Sequence, residues 1–481
     1  MSPTPPQQYS LAQLYQKLEP KDGSQSTADN LQNLQNLNSC LSKPDRLLRE
    51  QDDDEDIIRL CLWISKVILP DGSFNVEDDM SDGIPHPQQS ASLADICIAA
   101  SRERALALTH QKASLGLQSL QILISQLSSL RPSTLDPKIL LTLIAFTSPA
   151  DPWTTPTTTQ LSSSVLALYT TQTHSEDFIL RSILNTIIRP LFSLSKPSTI
   201  TSAGRKAMPS SGPLPKHDVA AERSSKPWKY ETIYAIRIFS WAIENAPPRT
   251  ISQNWPLFTP PLLTLLDDPS TPHRVTGSLL LPTFLPHLSP QVLRQSGIGE
   301  VFTDALMPTL LYLPSLTPIS EALQLSGAAY AALHVLCDVR FPSTAEDGEN
   351  GERYEFLDKV MRKGVLTAYH HASQHPSIVA LLLSQADLLI AKMGIQAVKH
   401  LKALIPVLCT TLADPFAPDV VLEAARCLQT VLLNCWPRIG GYRMEIVRAL
   451  CLAWRDGGEG NVRRELEVAG RLFGGCCGGG G

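Results

Sequence analysis

The sequence contains one stretch in which carboxylates lie close to an imidazole, the combination used in general acid–base catalysis and in metal binding. It reads LLTLLDDPSTPHRVTGSLLLPTFL over residues 262–285. Asp267 and Asp268 precede His273 by six and five residues, with apolar segments on both sides. The same residue types also suit a turn between two helices, because Asp and Pro both favour turns. The stretch therefore has two interpretations, an active site or a structural turn.

A second stretch, LCTTLADPFAPDVVLEAARCLQTV at residues 408–431, repeats the pattern Leu-x-Asp-Pro-x-x-Pro-x-x-Val. The two equivalent aspartates lie 146 residues apart, which is between three and four repeats of about 40–47 residues. In a HEAT-type repeat such a segment joins the first helix to the second, because Pro ends one helix and starts the next. His273 has no counterpart, since Asp419 occupies its place. The pattern therefore predicts structural repeat turns at Asp268, Pro269, Pro272, Asp414, Pro415 and Pro418.

A cluster of histidines and a pair of cysteines have the residue types of metal sites without the spacing. His370, His371 and His375 form HHxxxH, yet no Cys pair or carboxylate motif nearby completes the four ligands that zinc prefers. Cys476 and Cys477 lie in FGGCCGGGG, a segment that we expect to be frayed. The motifs GxxxxGK[ST], GxGxxG, GxSxG and HExxH do not occur. We predict no catalytic, cofactor-binding or metal site, and therefore no enzyme.

A segment rich in aromatic and Arg residues, CWPRIGGYRMEIVRALCLAW at residues 435–454, has the composition of a protein interface. Pro437 disfavours helical geometry in the residue before it, which predicts a helix end at Trp436. The alternative is that the aromatic residues are core, with Trp436 between neighbouring repeats and Arg438 capping the helix end. The candidate partner-binding residues are Trp436, Arg438, Tyr442, Arg443 and Trp454.

Composition narrows the class of protein. The 481 residues are 43% hydrophobic and carry a net charge of −5, without the basic stripe that nucleic-acid binding usually requires. The start, MSPTPPQQYS, lacks the features of an export signal. The most apolar stretch, residues 378–395, contains three charged or amide side chains and is expected to be a buried helix rather than a membrane span. The scattered cysteines suit a reduced, cytoplasmic or nuclear protein.

Apolar residues recur at helical spacing along most of the chain, and strand alternation is absent from the sequence. We predict an all-α fold, a HEAT-like or armadillo-like α-solenoid of stacked antiparallel helix pairs. The predicted helices are 92–109, 114–130, 136–147, 159–171, 176–194, 227–246, 256–267, 273–287, 299–312, 317–338, 354–372, 376–393, 395–412, 418–435, 440–455 and 460–473.

The same pattern predicts five regions. They are a largely disordered or weakly helical segment at 1–50, N-terminal helical repeats at 51–194, a disordered insertion at 195–226, a C-terminal HEAT-like repeat block at 227–473, and a flexible Gly/Cys tail at 474–481. The insertion is assigned because its Ser- and Pro-rich sequence has too few apolar residues to offset its chain entropy.

Residues 255–336 contain LLTLLDDPSTPHRVTGSLLLPTFL, SGIGEVFTDALMPTLLYLP and AAYAALHVL, and CWPRI follows later. With these segments, residues 227–455 resemble the Tel-two-interacting protein family, second member (Tti-two). The resemblance implies a subunit of the TTT complex, together with Tel-two and Tti-one type proteins. It also implies that this complex acts with heat-shock chaperones in the maturation and stabilisation of phosphatidylinositol-kinase-related kinases of the TOR, ATM and ATR classes. These kinases serve TOR signalling, the DNA damage response and telomere maintenance. The family has no catalytic residues to transfer to this chain.

Two other functions fit a solenoid. One is a transport receptor or adaptor that binds nucleoporins or a small GTPase, although such receptors usually have a longer array. The other is an enzyme with an unrecognised site. A solenoid presents a long surface to proteins and seldom forms the closed polar pocket that catalysis needs.

Overall fold

A computed structural model describes residues 9–18, 27–43, 47–48, 53–72, 93–127, 134–195, 219–342, 347–456 and 460–478. The chain divides into two compact units. The first comprises Met1–Lys196 with Ser211–Pro261, and the second comprises Pro197–Ser210 with Leu262–Gly481. This division differs from the predicted boundary at residue 226, because the helices just after that residue pack with the first unit.

The first unit is built from helices α1 to α12, the last of which continues into the second unit. Their bounds are α1 Leu11–Leu18, α2 Thr27–Leu41, α3 Asp53–Ile68, α4 Leu93–Gln126, α5 Pro137–Ile144, α6 Pro156–Leu166, α7 Thr170–Thr173, α8 Arg189–Ser193, α9 Val219–Ser225, α10 Pro227–Tyr230, α11 Ala235–Asn245 and α12 Pro248–Asp267. A 3₁₀ turn (Ala167–Tyr169) follows α6, and a π-helical segment (Phe178–Ile188) precedes α8. Two short strands, β1 (Tyr9–Ser10) and β2 (Leu47–Leu48), pair in parallel.

Trp228 and the Asp151–Arg237 ion pair both join separate segments of the first unit. Trp228 has no exposed surface. Its ring stacks on Phe192 with centroids 5.0 Å apart, and its Nε1 donates to Ser195 Oγ at 3.0 Å. Asp151 accepts from Arg237 Nε at 2.7 Å and links the segment before α6 to α11. Burial raises the pKa of Asp151, while the hydrogen bond and charge of Arg237 act against that shift.

The second unit contains helices α13 to α23. Their bounds are α13 Thr271–Phe284, α14 Pro290–Gln295, α15 Ile298–Leu306, α16 Ile319–Arg340, α17 Asp347–Val360, α18 Thr367–Ala372, α19 Pro376–Met393, α20 Leu401–Leu412, α21 Pro418–Ile439, α22 Arg443–Asp456 and α23 Asn461–Gly478. The 3₁₀ segments are Leu285–His287, Pro308–Leu311, Gly394–His400 and Gly440–Tyr442, and Met361–Leu366 is π-helical.

Five helices of the second unit lie side by side. α13 packs on α16, α16 on α19, α19 on α21, and α21 on α23. Between α21 and α23, Gln429 Nε2 donates to the Glu465 carbonyl at 3.0 Å. The Cys476 thiol lies 3.7 Å from the Leu432 carbonyl. Both residue numbers rise together along this contact, so the two helices are parallel.

The intervening helices form a second layer, in which α20 packs on α22, and α20 and α22 also contact α21 and α23 respectively. Residues 413–417 form a short turn that reverses the chain between α20 and α21, which makes these two helices antiparallel. This stacking of helix pairs confirms the predicted all-α, HEAT-like solenoid. The paired strands add only four residues to it.

Several predicted boundaries differ from the structure. Predicted helices 92–109 and 114–130 are one helix, α4, because the residues between them contain neither Pro nor Gly to interrupt it. Within 1–50, α1 and α2 are formed and bury Leu at six positions, namely Leu11, Leu14, Leu18, Leu34, Leu37 and Leu41. These six leucines bury enough apolar surface to stabilise the two helices, although the Gln- and Asn-rich composition of the segment predicted little burial.

The insertion and the tail also differ in part. Residues 196–218 of the predicted insertion lie outside the described residues, whereas 219–225 form α9 and are not disordered. The Ser195 hydroxyl donates to the Ser225 carbonyl at 2.5 Å and joins the two ends. The tail prediction is wrong for 474–478, since α23 extends to Gly478 and buries Phe473. Residues 479–481 lie outside the described part of the chain.

Two helical stretches of the described chain are long and apolar enough to cross a membrane, Ile319–Arg340 and Pro376–Leu412. About half of each apolar window is buried within the structure, 56% and 44% respectively. Both stretches contribute to the packed layers of the second unit, as α16 and as α19 with α20. Their apolar character is therefore used in helix–helix packing.

A buried imidazole makes the stability of the second unit depend on pH. His400 is 3% exposed, and its Nε2 lies 3.1 Å from Asp358 Oδ1. The same oxygen lies 3.0 Å from Lys399 Nζ and 3.1 Å from Arg362 Nε. Burial lowers the pKa of His400, and this effect outweighs the attraction of Asp358, which acts to raise it.

We expect the free energy of unfolding to fall on mild acidification. Because the pKa of folded His400 lies below its unfolded value of about 6.5, the unfolded chain takes up the proton first. The contribution is present above about pH 6.5 and is lost as pH falls through the folded pKa. His400→Gln keeps a donor but cannot titrate. Urea unfolding of both proteins at about pH 7.5 and 5.5 should show a smaller loss for the variant; equal losses would contradict this account.

Candidate protein-binding surface

Asp268 and His273 of the first repeat turn are in contact. Asp268 is 2% exposed, and its Oδ1 lies 3.2 Å from His273 Nδ1. The same oxygen accepts from the Ser270 backbone N–H at 3.0 Å, which closes a turn of the kind that Asp side chains favour. The carboxylate is thus held within the turn between α12 and α13.

The second turn has the same backbone arrangement without an imidazole. Asp414 Oδ1 accepts from the Phe416 backbone N–H at 3.0 Å, again two residues ahead. Pro418 is the first residue of α21, as Pro272 is the second of α13. The equivalent aspartate therefore performs the same structural task in both turns, and His273 is an addition to the first.

Sequence reasoning missed the residue that distinguishes the first turn, Arg274. Its side chain is buried, and its Nε donates to the Asp268 carbonyl at 3.2 Å. Its Nη1 lies 3.5 Å from Thr309 Oγ1, and the guanidinium stands 4.7 Å from the centre of the Tyr312 ring. Val420 occupies the equivalent position in the second turn, and this difference was the available signal.

Desolvation raises the pKa of the neighbouring Asp267, and the charge of Arg274 acts to lower it. Asp268 is buried whereas Asp267 is exposed, so Arg274 places its positive charge beside one buried and one exposed carboxylate of the turn. Such an arrangement stabilises a turn, and its polar groups are already occupied by one another.

The histidine cluster does not assemble a metal site. The rings of His370 and His371 contact each other edge-on with centroids 5.3 Å apart, and His375 precedes α19. Within the described ranges, no three His, Cys, Asp or Glu side chains are grouped so that they could hold a metal ion.

The five candidate partner-binding residues lie on two successive helices and the turn between them. Trp436 is 59% exposed on α21, and Arg438 is exposed two residues later. Tyr442 is half-buried, Arg443 is exposed at the start of α22, and Trp454 is 43% exposed near its end. No two of these three aromatic rings form a ring contact in the described chain, so they do not make one cluster.

The predicted helix end at Trp436 is wrong, because α21 continues through Pro437 to Ile439. Ile439 and Cys435 are both fully buried and lie one turn apart on the inner face. Their burial favours a last helical turn that the proline alone disfavours. As a result, Trp436 projects from the helix surface and not from a loop.

Two apolar residues of this region were also missed by sequence reasoning. Met444 and Val447 on α22 are 74% and 38% exposed. They share a helical spacing with Trp454, which is the signal that could have found them. Trp454 itself lies under a cation, since the Arg463 guanidinium is 4.6 Å from its ring centre.

The turn assignment is tested by comparing two neighbouring residues. We expect His273→Ala to lower the free energy of unfolding by about 1 kcal/mol or less, because Asp268 keeps its backbone hydrogen bond. Arg274→Ala removes a buried side chain from a carbonyl, a hydroxyl and a ring, and should cost about 2–4 kcal/mol. Chemical denaturation measures both. A well-folded His273→Ala protein that loses its cellular function would restore the active-site interpretation.

Exposure of Trp436 is tested against a buried tryptophan of the same chain. Trp436→Ala should change the free energy of unfolding by less than about 1 kcal/mol, as at other surface positions. Trp228→Ala, the matched control, should cost about 3–5 kcal/mol because it leaves a cavity. Similar large losses for both variants in thermal or urea unfolding would show that Trp436 is core.

The chain is similar to one protein family and to several solved structures. A sequence model of the Tti2 family matches residues 139–419. Among solved structures, the chain is similar to karyopherin Kap121p bound to the SUMO protease Ulp1p, with 11% identity and a TM-score of 0.41 over 97% of this chain and 49% of that one. Kap121p bound to Pho4p gives 12% identity and a TM-score of 0.37, over 97% and 47%. An engineered protein gives 13% and 0.34, over 96% and 98%.

The chain spans about half the length of the Kap121p chains. The family match begins earlier than the resemblance read from residues 227–455, and it ends before CWPRI. The helices between residues 139 and 226 therefore also match the family, although the resemblance was recognised only from residue 227 onward. The match covers more than half of the chain, and the chain belongs to the Tti2 family.

Proposed function

We propose that this protein is a non-catalytic scaffold subunit of a TTT-type co-chaperone complex. In this role it supports the maturation and stability of phosphatidylinositol-kinase-related kinases of the TOR, ATM and ATR classes. The observation that carries the proposal is membership of the Tti2 family over residues 139–419, a scaffold-type family. Its partners would be Tel-two and Tti-one type solenoid proteins and the heat-shock chaperone machinery.

The arrangement of polar groups supports a scaffold over an enzyme. The acid–imidazole pair of the first turn is tied to a backbone N–H, and the adjacent arginine is tied to a carbonyl and a ring. These contacts fix a turn. Exposed apolar side chains such as Trp436 and Met444 instead suit contact with another protein.

The charge of the chain, −5, disfavours direct binding to nucleic acid, and its long apolar helices pack on neighbouring helices. We therefore propose action through protein contacts alone, in the cytoplasm and the nucleus, without a cofactor.

Affinity purification of the tagged full-length chain from cell extract, followed by mass spectrometry, tests the proposal. We expect Tel-two and Tti-one type proteins and chaperones to be recovered together. Recovery of nucleoporins or a small GTPase in their place would support the transport alternative.

A depletion experiment tests the kinase step separately. Removal of this protein should lower the abundance of the TOR, ATM and ATR class kinases without lowering their transcripts. Re-expression of the natural chain should restore them, and so should His273→Ala if the turn is structural. Unchanged kinase abundance after depletion would contradict the proposed role even if the partners are recovered.

A further inference from the structure

Helix α22 has an apolar stripe along its outer face. Met444, Val447, Cys451 and Trp454 follow one another at spacings of three, four and three residues, which places them on one side of a helix. Met444 is 74%, Val447 38% and Trp454 43% exposed, and Cys451 is also exposed. Single exposed apolar residues are common, but a continuous row along a helix is typical of an interface.

The opposite face fixes how α22 is oriented. Ile446, Ala449 and Ala453 are buried, with exposed fractions of 0%, 3% and 3%. α22 packs on α20 and α23. Because these residues are buried against neighbouring helices, α22 cannot rotate to bury the stripe without exposing them. The stripe is therefore a stable feature of the surface.

Charges around the stripe have one sign. Arg443, Arg448 and Arg455 are all exposed and lie on or beside the apolar face by helical spacing, whereas Glu445 and Asp456 lie off it. Of these three arginines, only Arg455 has an ion pair with another described side chain, Asp456 at 2.6 Å, so Arg443 and Arg448 supply the uncompensated charge of the rim. The chain as a whole is acidic, with a net charge of −5, so this basic rim is a local reversal.

Arg463 adds to the same rim from α23. Its guanidinium lies over the Trp454 ring at 4.6 Å, which holds the indole at the end of the stripe and places a cation beside it. A ligand that contacts Trp454 therefore also meets positive charge.

We propose that the outer face of α22 binds an amphipathic, acidic α-helix of a partner protein. Apolar residues of that helix, spaced by three and four positions, would pack on Met444, Val447, Cys451 and Trp454. Asp or Glu residues flanking them would face Arg443 and Arg448. This inference deepens the proposed function, and it rests on that function because a scaffold subunit is expected to bind another protein.

The charge pattern selects this occupant over a second copy of the chain. Two α22 faces brought together would place arginines against arginines, which disfavours self-association. A basic amphipathic helix can also lie on an anionic membrane. α22 is held by its packed inner face, and its stripe is only one side chain wide along the helix, so a helix of matching width is the better fit.

The test uses the full-length chain with a photo-crosslinking amino acid, benzoylphenylalanine, in place of Val447. The control carries it in place of Phe416, which is 91% exposed in the second repeat turn. After irradiation in cells, the crosslinked peptides are sequenced by mass spectrometry. We expect position 447 to capture a segment with helical apolar spacing and flanking carboxylates. A basic or aperiodic segment, or no capture above the control, overturns the proposal.

Charge reversal gives the second arm. Arg443→Glu with Arg448→Glu should lower the crosslinking yield about tenfold, since flanking charges set association and specificity. The matched control, Lys138→Glu with Lys363→Glu, makes the same charge change at two exposed sites outside α22 and the helices that pack on it, and should leave the yield unchanged. Changing the captured acidic residues to Arg should restore binding to the reversed chain. Equal yields for both reversed proteins would contradict the charge assignment.

Two further outcomes separate the alternatives. Binding of the purified chain to phosphatidylserine vesicles that is lost on Arg443→Glu with Arg448→Glu would assign the face to a membrane and overturn the proposal. An acidic helix captured from a protein outside the TTT group would support the α22 site while contradicting the proposed function. If a chain with both arginines reversed still recovers the TTT partners and still crosslinks at undiminished yield, the proposed function would be supported and the α22 site contradicted.

Discussion

The second unit depends on the sideways burial of each helix against the helices before and after it. α21 illustrates this, because it packs on α19 at one side and on α23 at the other. A helix pair buries its apolar face only through such neighbours, so no single long-range contact holds the unit together. Side-chain bridges fix the register of the stack. Lys392 Nζ on α19 contacts Asp338 on α16 at 2.6 Å, and Gln429 on α21 contacts Glu465 on α23.

The turns explain why chemically suggestive residues can be structural. A carboxylate that accepts a backbone N–H two residues ahead shapes the chain before a new helix, and proline then favours its first turn. Asp268 and Asp414 both do this. The buried Arg274 adds contacts with a carbonyl and a ring to the first turn, where the second turn has Val420. Exposed apolar side chains such as Trp436 and Met444 lie outside these turns.

The helical class and the repeat turns were predictable because both rest on local sequence. Periodicity identifies helices, and Asp and Pro identify turns, without knowledge of distant contacts. Burial of particular residues was not predictable in this way. Pro437 indicated a helix end, but the buried Ile439 extends α21 past it. Arg274 was missed because its partners Thr309 and Tyr312 are 35 or more residues away in sequence. Of the candidate surface, the tryptophans were found by residue type, whereas Met444 became notable only once its exposure was known.

The packing of each helix on one that precedes it in the chain bears on how the second unit folds during synthesis. During synthesis, each helix pair of the second unit leaves the ribosome after the pair on which it packs, so it can dock at once without waiting for a distant segment. Until the following pair emerges, however, the newest helix presents an uncovered apolar face to the cytosol. At each stage of translation, from α13 to α23, the most recently made helix is therefore the one whose apolar face is uncovered. That helix is the one that would need protection from aggregation.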